Sequence, residues 1–241
     1  MAVQTETRKF KVAEFYKLGE VGILSEDDPV ELLDGQIMIM APIGENHRTV
    51  VDALAEILTD QRKGRYRVGV QNPLRIDDEN EPQPDLVLYN RDVVARHPTP
   101  AETFLVIEVA DASLGYDQQS KIPVYAVAGI KEVWIVDLIR NRIHSYRDPA
   151  PGNRTYLAVS SFDRLTWVSP REFLDIRIRP DSPCRIALAL KFHPGDADEI
   201  SRLQGVQSGT WSRPCQRFNA PTSPTAIRRR AVRCQIVGSG R

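Results

Sequence analysis

The chain has 241 residues, with 41% apolar and 27% charged residues and a formal net charge of zero. That length and balance fit a soluble globular protein with one ordinary domain and a remainder, and exclude fibrous and wholly disordered classes. No apolar run approaches the 18 or so residues that a membrane span needs, and the start, MAVQTETRKFKVAEF, lacks the apolar core of a signal peptide. A cytoplasmic location with no membrane contact is expected.

The zero charge hides an asymmetry. From Arg185 onward there are ten Lys/Arg against three Asp/Glu, a net +7, so residues 1–184 hold 22 basic and 29 acidic residues, a net −7. The three cysteines, Cys184, Cys215 and Cys234, lie at or beyond that boundary. Their spacings of 31 and 19 match no zinc pattern. A main body without cysteine fits a reducing compartment.

In chain order, residues 11–20 carry Val12, Phe15, Tyr16 and Leu18, a weak helical stripe that Gly19 or Gly22 ends. Val30–Leu33 and Gln36–Met40 flank Asp34-Gly35. An Asp-Gly pair between two β-like runs predicts a hairpin, because both turn positions need φ > 0. Glu31 lies in its first strand. Val50, Val51, Leu54, Ile57 and Leu58 then form the stripe of a half-buried helix, with Asn46 as N-cap and Gly64 as stop. Arg62-Lys63-Gly64-Arg65 reads as a solvated terminus favoured by the helix dipole, with a phosphate contact as the other reading. His47 reads as an exposed residue of the first turn; the alternative is that it faces a site.

Short strands are predicted at Tyr66–Val70, Pro73–Ile76, Asp85–Tyr89 and Thr103–Val109. A helix follows within residues 113–129. Pro123 cannot sit inside a helix without cost. Either Ser120 caps a helix that has Pro123 at its third position, or a longer helix is kinked there; the cap is the favoured reading. Lys131–Asp137 reads as a fully apolar central strand, with Arg142–Arg147 as its hairpin partner. Arg154–Val159, Leu165–Val168 and Glu172–Ile178 are further short strands. Trp134, Tyr146 and Trp167 read as core residues rather than platforms for bases. The 57 residues from Arg185 contain four prolines, five glycines and five serines, and Arg228-Arg229-Arg230 lies near the end. That composition predicts a mostly disordered basic tail over 185–241, whose arginines read as a solvated cluster or as a weak attractor of nucleic acid.

Two carboxylates are out of place for a core. Asp85 opens the run Leu86-Val87-Leu88, and Glu108 sits inside Phe104–Val109. Burying either is costly unless it is paired or binds a metal. Two on successive strands suggest a shared site for a hard divalent cation, Mg²⁺ or Mn²⁺. Asp85, Glu108, a backbone carbonyl near Val109 and two or three waters would complete its shell. Lys121 would orient an attacking water or neutralise the transition state, and Glu31 would hold an outer water or a second ion. Each has a plainer rival: a turn cap for Asp85, a surface lysine for Lys121, an arginine partner for Glu31. Asp117 and Lys121 stand four apart, and on one long helix they would merely pair.

The series PVELLDG, QPDLV, VIEVAD and YD---K---Y--AGIKEVWIVDL resembles the Uma-two family of restriction-endonuclease domains, in the PD-(D/E)XK nuclease superfamily. The resemblance spans roughly residues 10–180. It implies an α/β (α+β) fold, a mixed β-sheet flanked by helices, and a metal-dependent endonuclease that acts on DNA. On its pattern, Pro84-Asp85 supplies one metal ligand and Glu108 the other. Superfamily nucleases usually carry the lysine two positions after that acid, where this chain has Ala110. The family places it on the following helix, where Lys121 stands. Glu31 matches the early glutamate near the metal; Gln83, Asp117 and Tyr125 match positions without a clear role. A double-strand cut requires two sites, which makes a homodimer the expected assembly. A nuclease-fold module that binds nucleic acid or protein without cutting, and a phosphoesterase of small substrates, are the competing functions.

Overall fold

A computed structural model describes residues 7–25 and 27–180. The tail and all three cysteines lie outside the described residues. Helix α1 (Val12–Glu20) starts where the Glu14 carboxylate accepts from the Lys11 amide, and Val12 anchors it in the core. Strands β1 (Val30–Leu33) and β2 (Gln36–Ile39) pair antiparallel as a separate two-stranded sheet. Asp34 (φ 47°) and Gly35 (φ 71°) are both left-handed, as the hairpin turn demands. Gly35 is required twice over, since a Cβ there would stand 2.6 Å from Lys9 Cβ.

Helix α2 (Glu45–Gln61) buries Val50, Val51, Ala53, Leu54 and Leu58. Its N-cap is Gly44 rather than Asn46, so His47 falls inside the first turn. Six strands form the main sheet in sequential order: β3 (Tyr66–Val70), β4 (Leu86–Asn90), β5 (Thr103–Ala110), β6 (Glu132–Asp137), β7 (Arg142–Ala150) and β8 (Thr155–Phe162). All neighbours are antiparallel except β5 and β6, which are parallel. A parallel pair needs a crossover. Here it is a helical segment made of α3 (Leu114–Tyr116), a π turn (Asp117–Lys121) and α4 (Ile122–Val127).

Side chains of a strand alternate between the two faces, and the central strands are covered on both. Leu105, Ile107 and Val109 of β5 pack with α2, Leu86, Leu88 and Trp134. Val106 and Ala110 pack with Ile122, Tyr125 and Ala126 of α4 and with Val133 and Ile135. Glu108 shares that second face. The mixed sheet flanked by helices is the fold the family resemblance implies.

Several local expectations are corrected. The Ser120 cap does not form: the backbone stays helical from Leu114 to Val127, and the Ile122 amide reaches back five residues to the Asp117 carbonyl. The wide turn relieves the clash that the Pro123 ring would impose on the carbonyl four residues before it. Pro73–Ile76 is not a strand. Leu165–Val168 and Glu172–Ile178 contribute a single bridge, Val168 to Ile178. Strand β6 is not fully apolar, since Glu132 and Asp137 are both buried in it. Trp134 and Tyr146 are core residues, but Trp167 is half-exposed beneath the Arg179 guanidinium. Lys63 and Arg65 engage Asp175, in keeping with a solvated helix terminus.

Candidate active site

The site lies where three elements meet at the C-terminal end of β5. Strand β5 supplies Glu108, the residue just ahead of β4 is Asp85, the β1–β2 hairpin supplies Glu31, and the crossover helix supplies Asp117, Lys121 and Tyr125. The π turn matters here. Asp117, Lys121 and Tyr125 stand four residues apart, a spacing that drifts around a regular α-helix, yet all three are buried. The wide turn keeps them on the side that faces the sheet.

Glu108 is buried on β5 and accepts at both oxygens. Tyr125 Oη donates to Oε1 at 2.6 Å, and Lys121 Nζ donates to Oε2 at 3.3 Å. Burial, only partly countered by Lys121 and reinforced by Asp85, Asp117 and Glu31, pushes its pKa up to about 8. Glu31 is equally buried. Its Oε2 accepts from the Gln83 amide at 3.0 Å and lies 3.3 Å from Lys121 Nζ, and its Oε1 accepts from Tyr116 Oη at 3.2 Å. Burial opposes the Lys121 charge, but Glu108, Glu31, Asp117 and Asp85 outweigh it and hold the ammonium above its ordinary pKa. Tyr125 is held well above its usual range by burial and by Glu108.

Asp85 is pinned just ahead of β4. Its Oδ2 accepts from the Val109 amide at 2.8 Å and lies 3.0 Å from His47 Nε2. Its Oδ1 has one long contact, 3.4 Å to Gln71 Nε2. The Gln71 amide also binds the Asp85 carbonyl at 3.0 Å, and Gln71 holds a left-handed backbone (φ 49°) that a non-glycine residue adopts only at a cost. Asp117 accepts from Ser113 Oγ at 2.8 Å, and burial raises its pKa. On the long helix it does not take Lys121 for itself: the ammonium bridges Glu31 and Glu108.

The structure therefore brings together all four side chains singled out from the sequence, Asp85, Glu108, Lys121 and Glu31. Val109 joins them through its N–H, which Asp85 occupies. Gln83 also acts through its amide, and Tyr125 through its hydroxyl. His47 is corrected from an exposed residue to a part-buried partner of Asp85, whose hydrogen bond raises the imidazole pKa against the effect of burial. Tyr116 opens the YD---K---Y series without a role being read for it, and Gln71 stands in no run that marks it.

Four carboxylates thus surround one lysine, with a histidine at the edge. The excess of hard, anionic oxygen suits a divalent cation. Among the described residues no group of three or more His, Cys, Asp or Glu side chains is spaced to hold a metal by itself. A Mg²⁺-like ion does not need one, since it uses one or two carboxylates and keeps several waters. The donor set fits such an ion.

No curated protein matches the chain. Among solved structures, a nuclease of the DUF820 group from Anabaena variabilis, described as putative, is similar at 15% identity over 69% of this chain and 96% of its own, with a TM-score of 0.56. That likeness shows the fold. Among the described residues no helix is long and apolar enough to cross a membrane. A family model described as "Putative restriction endonuclease" matches residues 12–181, and the chain belongs to that family, Uma2.

Proposed function

We propose that the chain is a divalent-cation-dependent endonuclease that hydrolyses phosphodiester bonds of DNA at the Asp85–Glu108–Lys121–Glu31 cluster. The observation that carries this reading is the Lys121 ammonium, buried 3.3 Å from both Glu108 and Glu31 within an excess of carboxylates. A structural ion pair needs one acid per base; this cluster has a surplus of negative oxygen beside an obligatory cation. Family membership and the nuclease-like fold agree with it.

Asp85, Glu108 and the backbone carbonyl of Val109 would hold Mg²⁺ or Mn²⁺, which when bound supplies a water of lowered pKa and neutralises phosphate charge. Lys121 donates hydrogen bonds to the charge that develops on the phosphoryl oxygens. Glu31 and Tyr125 fix the directions of Lys121 and Glu108, so that little reorganisation remains for the reaction. A double-strand cut would use two such sites in a homodimer, acting in the cytoplasm.

The test is incubation of supercoiled plasmid with the protein in Mg²⁺, Mn²⁺ or EDTA, with a small phosphodiester in parallel. Nicked and linear DNA in either cation, absent in EDTA and in Glu108→Ala, is the expected result. Retarded but intact plasmid in every condition would instead identify a binding module, and hydrolysis of the small ester alone a different phosphoesterase.

A further inference from the structure

Asp85 Oδ2 is doubly occupied, by the Val109 amide at 2.8 Å and by His47 Nε2 at 3.0 Å, whereas Oδ1 has only the 3.4 Å contact from Gln71. An ionised carboxylate only accepts, so the imidazole carries its hydrogen on Nε2. That leaves Nδ1 a bare acceptor in the neutral ring and a bare donor in the imidazolium, and in either form it is buried with no partner among the described residues. A histidine kept for stability alone would satisfy both nitrogens. This one leaves Nδ1 unmet while its Nε2 is spent on one oxygen of one carboxylate.

We infer that His47 is a positioning residue: together with the Val109 amide it locks Asp85 by Oδ2 and turns Oδ1 toward a divalent cation. The inference rests on the cation-dependent reading above and deepens it, naming the oxygen that would face the ion and the side chain that aims it. The rigidity is built from distant parts. His47 stands in the first turn of α2, Val109 near the end of β5, and Asp85 just before β4. Each is anchored by its own element, so the carboxylate cannot rotate without breaking a contact to another one. Outer partners of this kind set metal affinity, and losing one weakens it by about tenfold to a hundredfold.

The experiment is calorimetric titration of Mn²⁺ into metal-free full-length protein at pH 8, for wild type, Asp85→Ala, His47→Ala, His47→Gln and His47→Asn, with a melting curve of each. A glutamine amide reaches where Nε2 stands, whereas an asparagine amide falls short of it. Asp85→Ala should abolish binding. His47→Ala and His47→Asn should weaken it by about tenfold or more, and His47→Gln should recover most of the loss. Should His47→Ala not fold, the Gln and Asn variants alone decide. Affinity within twofold of wild type in His47→Asn or His47→Ala, with Asp85→Ala still inactive in binding, overturns the positioning role and leaves the cation site standing. Equal losses in the Gln and Asn variants also overturn it, because the effect is then not the Nε2 contact. No Mn²⁺ uptake by wild type overturns both readings.

Discussion

Lys121 Nζ lies 3.3 Å from Glu31 Oε2, with the lysine side chain 7% exposed and the glutamate fully buried, across 90 residues of sequence. This contact ties the hairpin to the crossover helix. Removing one partner of a buried pair leaves a charge without compensation, at a cost of about 3–5 kcal/mol. At pH 9, above the Glu108 value of about 8, Lys121→Met should therefore destabilise the metal-free protein by about that amount, because it strands both Glu31 and Glu108. Glu31→Gln should cost less than half as much. Glu108 still compensates the lysine, and the amide oxygen can still accept from the Gln83 N–H. Urea melts in EDTA at pH 9 check both, and equal costs would show that Glu108 does not share the ammonium. Lys121→Met should also keep Mn²⁺ binding while losing most plasmid cleavage.

The raised carboxyls make stability fall with pH in the metal-free protein. Glu108 ionises near 4.5 in the unfolded chain and near about 8 when folded, so between those values the folded state binds more protons and stability decreases as pH rises. Asp117 is raised by burial and acts in the same sense. His47, raised by Asp85, contributes stability that is full below 6.5 and is lost as pH passes its folded value. Lys121 stays charged throughout and adds no slope. The carboxylates with lowered values, Glu14, Asp137, Asp163, Asp175 and Glu102, act below this window. Urea midpoints in EDTA should drop steadily from pH 5 to above 8, and Glu108→Gln should flatten the curve. A midpoint that rises over this range would show that Glu108 is ionised without a cation.

Much of this was legible because it is local. Asp34-Gly35 between apolar runs could be little else than a tight hairpin. The stripe of α2 and the misplaced acids Asp85 and Glu108 stand out for the same reason: periodicity and the cost of burying charge are read residue by residue. What stayed hidden depends on distant encounters. Nothing near His47 announces that it meets a carboxylate 38 positions away. Pro123 signals a disturbed helix but not whether a cap or a π turn resolves it. Glu132 was passed over inside an apolar strand because its partners, Arg147 and Arg171, lie 15 and 39 residues further on.

Glu132 supplies the contrast to Glu108. It is also fully buried, but it is saturated: Trp134 Nε1 donates at 2.7 Å, Arg147 Nε at 2.8 Å, and the Arg171 amide at 2.7 Å. One arginine matches one acid, and no surplus of negative charge remains. Glu132→Ala should cost about 1–3 kcal/mol by leaving the buried Trp134 Nε1 without its acceptor, while Mn²⁺ affinity measured well below the melting temperature stays within about twofold of wild type. A large loss of affinity would mean that the two buried acids are coupled through the sheet.

The vacant lysine position offers the last test. Ala110 shares a strand face with Glu108, two residues on, and superfamily nucleases usually place their lysine there. In this chain Ala110 is fully buried in the cluster formed with Ile122, Tyr125, Ala126 and Ile135. It also pairs in register with Asp137 on β6, whose carboxylate is buried. A lysine introduced at this position meets two obstacles. Its stem overpacks the core, at about 1–3 kcal/mol, and Asp137 competes with Glu108 for the ammonium. Catalytic geometry tolerates shifts of only about 1 Å before large losses. The protein carrying Lys121→Ala and Ala110→Lys should thus melt below the Lys121→Ala single variant and regain at most a small fraction of plasmid cleavage. Adding Asp137→Asn should raise that fraction, because the competing charge is gone while the residue's shape is kept. Plasmid assays in Mg²⁺ and melting curves for the single, double and triple variants decide. Recovery to wild-type rates in the double variant would show that the two positions deliver an ammonium to one spot despite the crowding. No gain on adding Asp137→Asn would show that packing, and not the rival carboxylate, keeps position 110 closed to lysine.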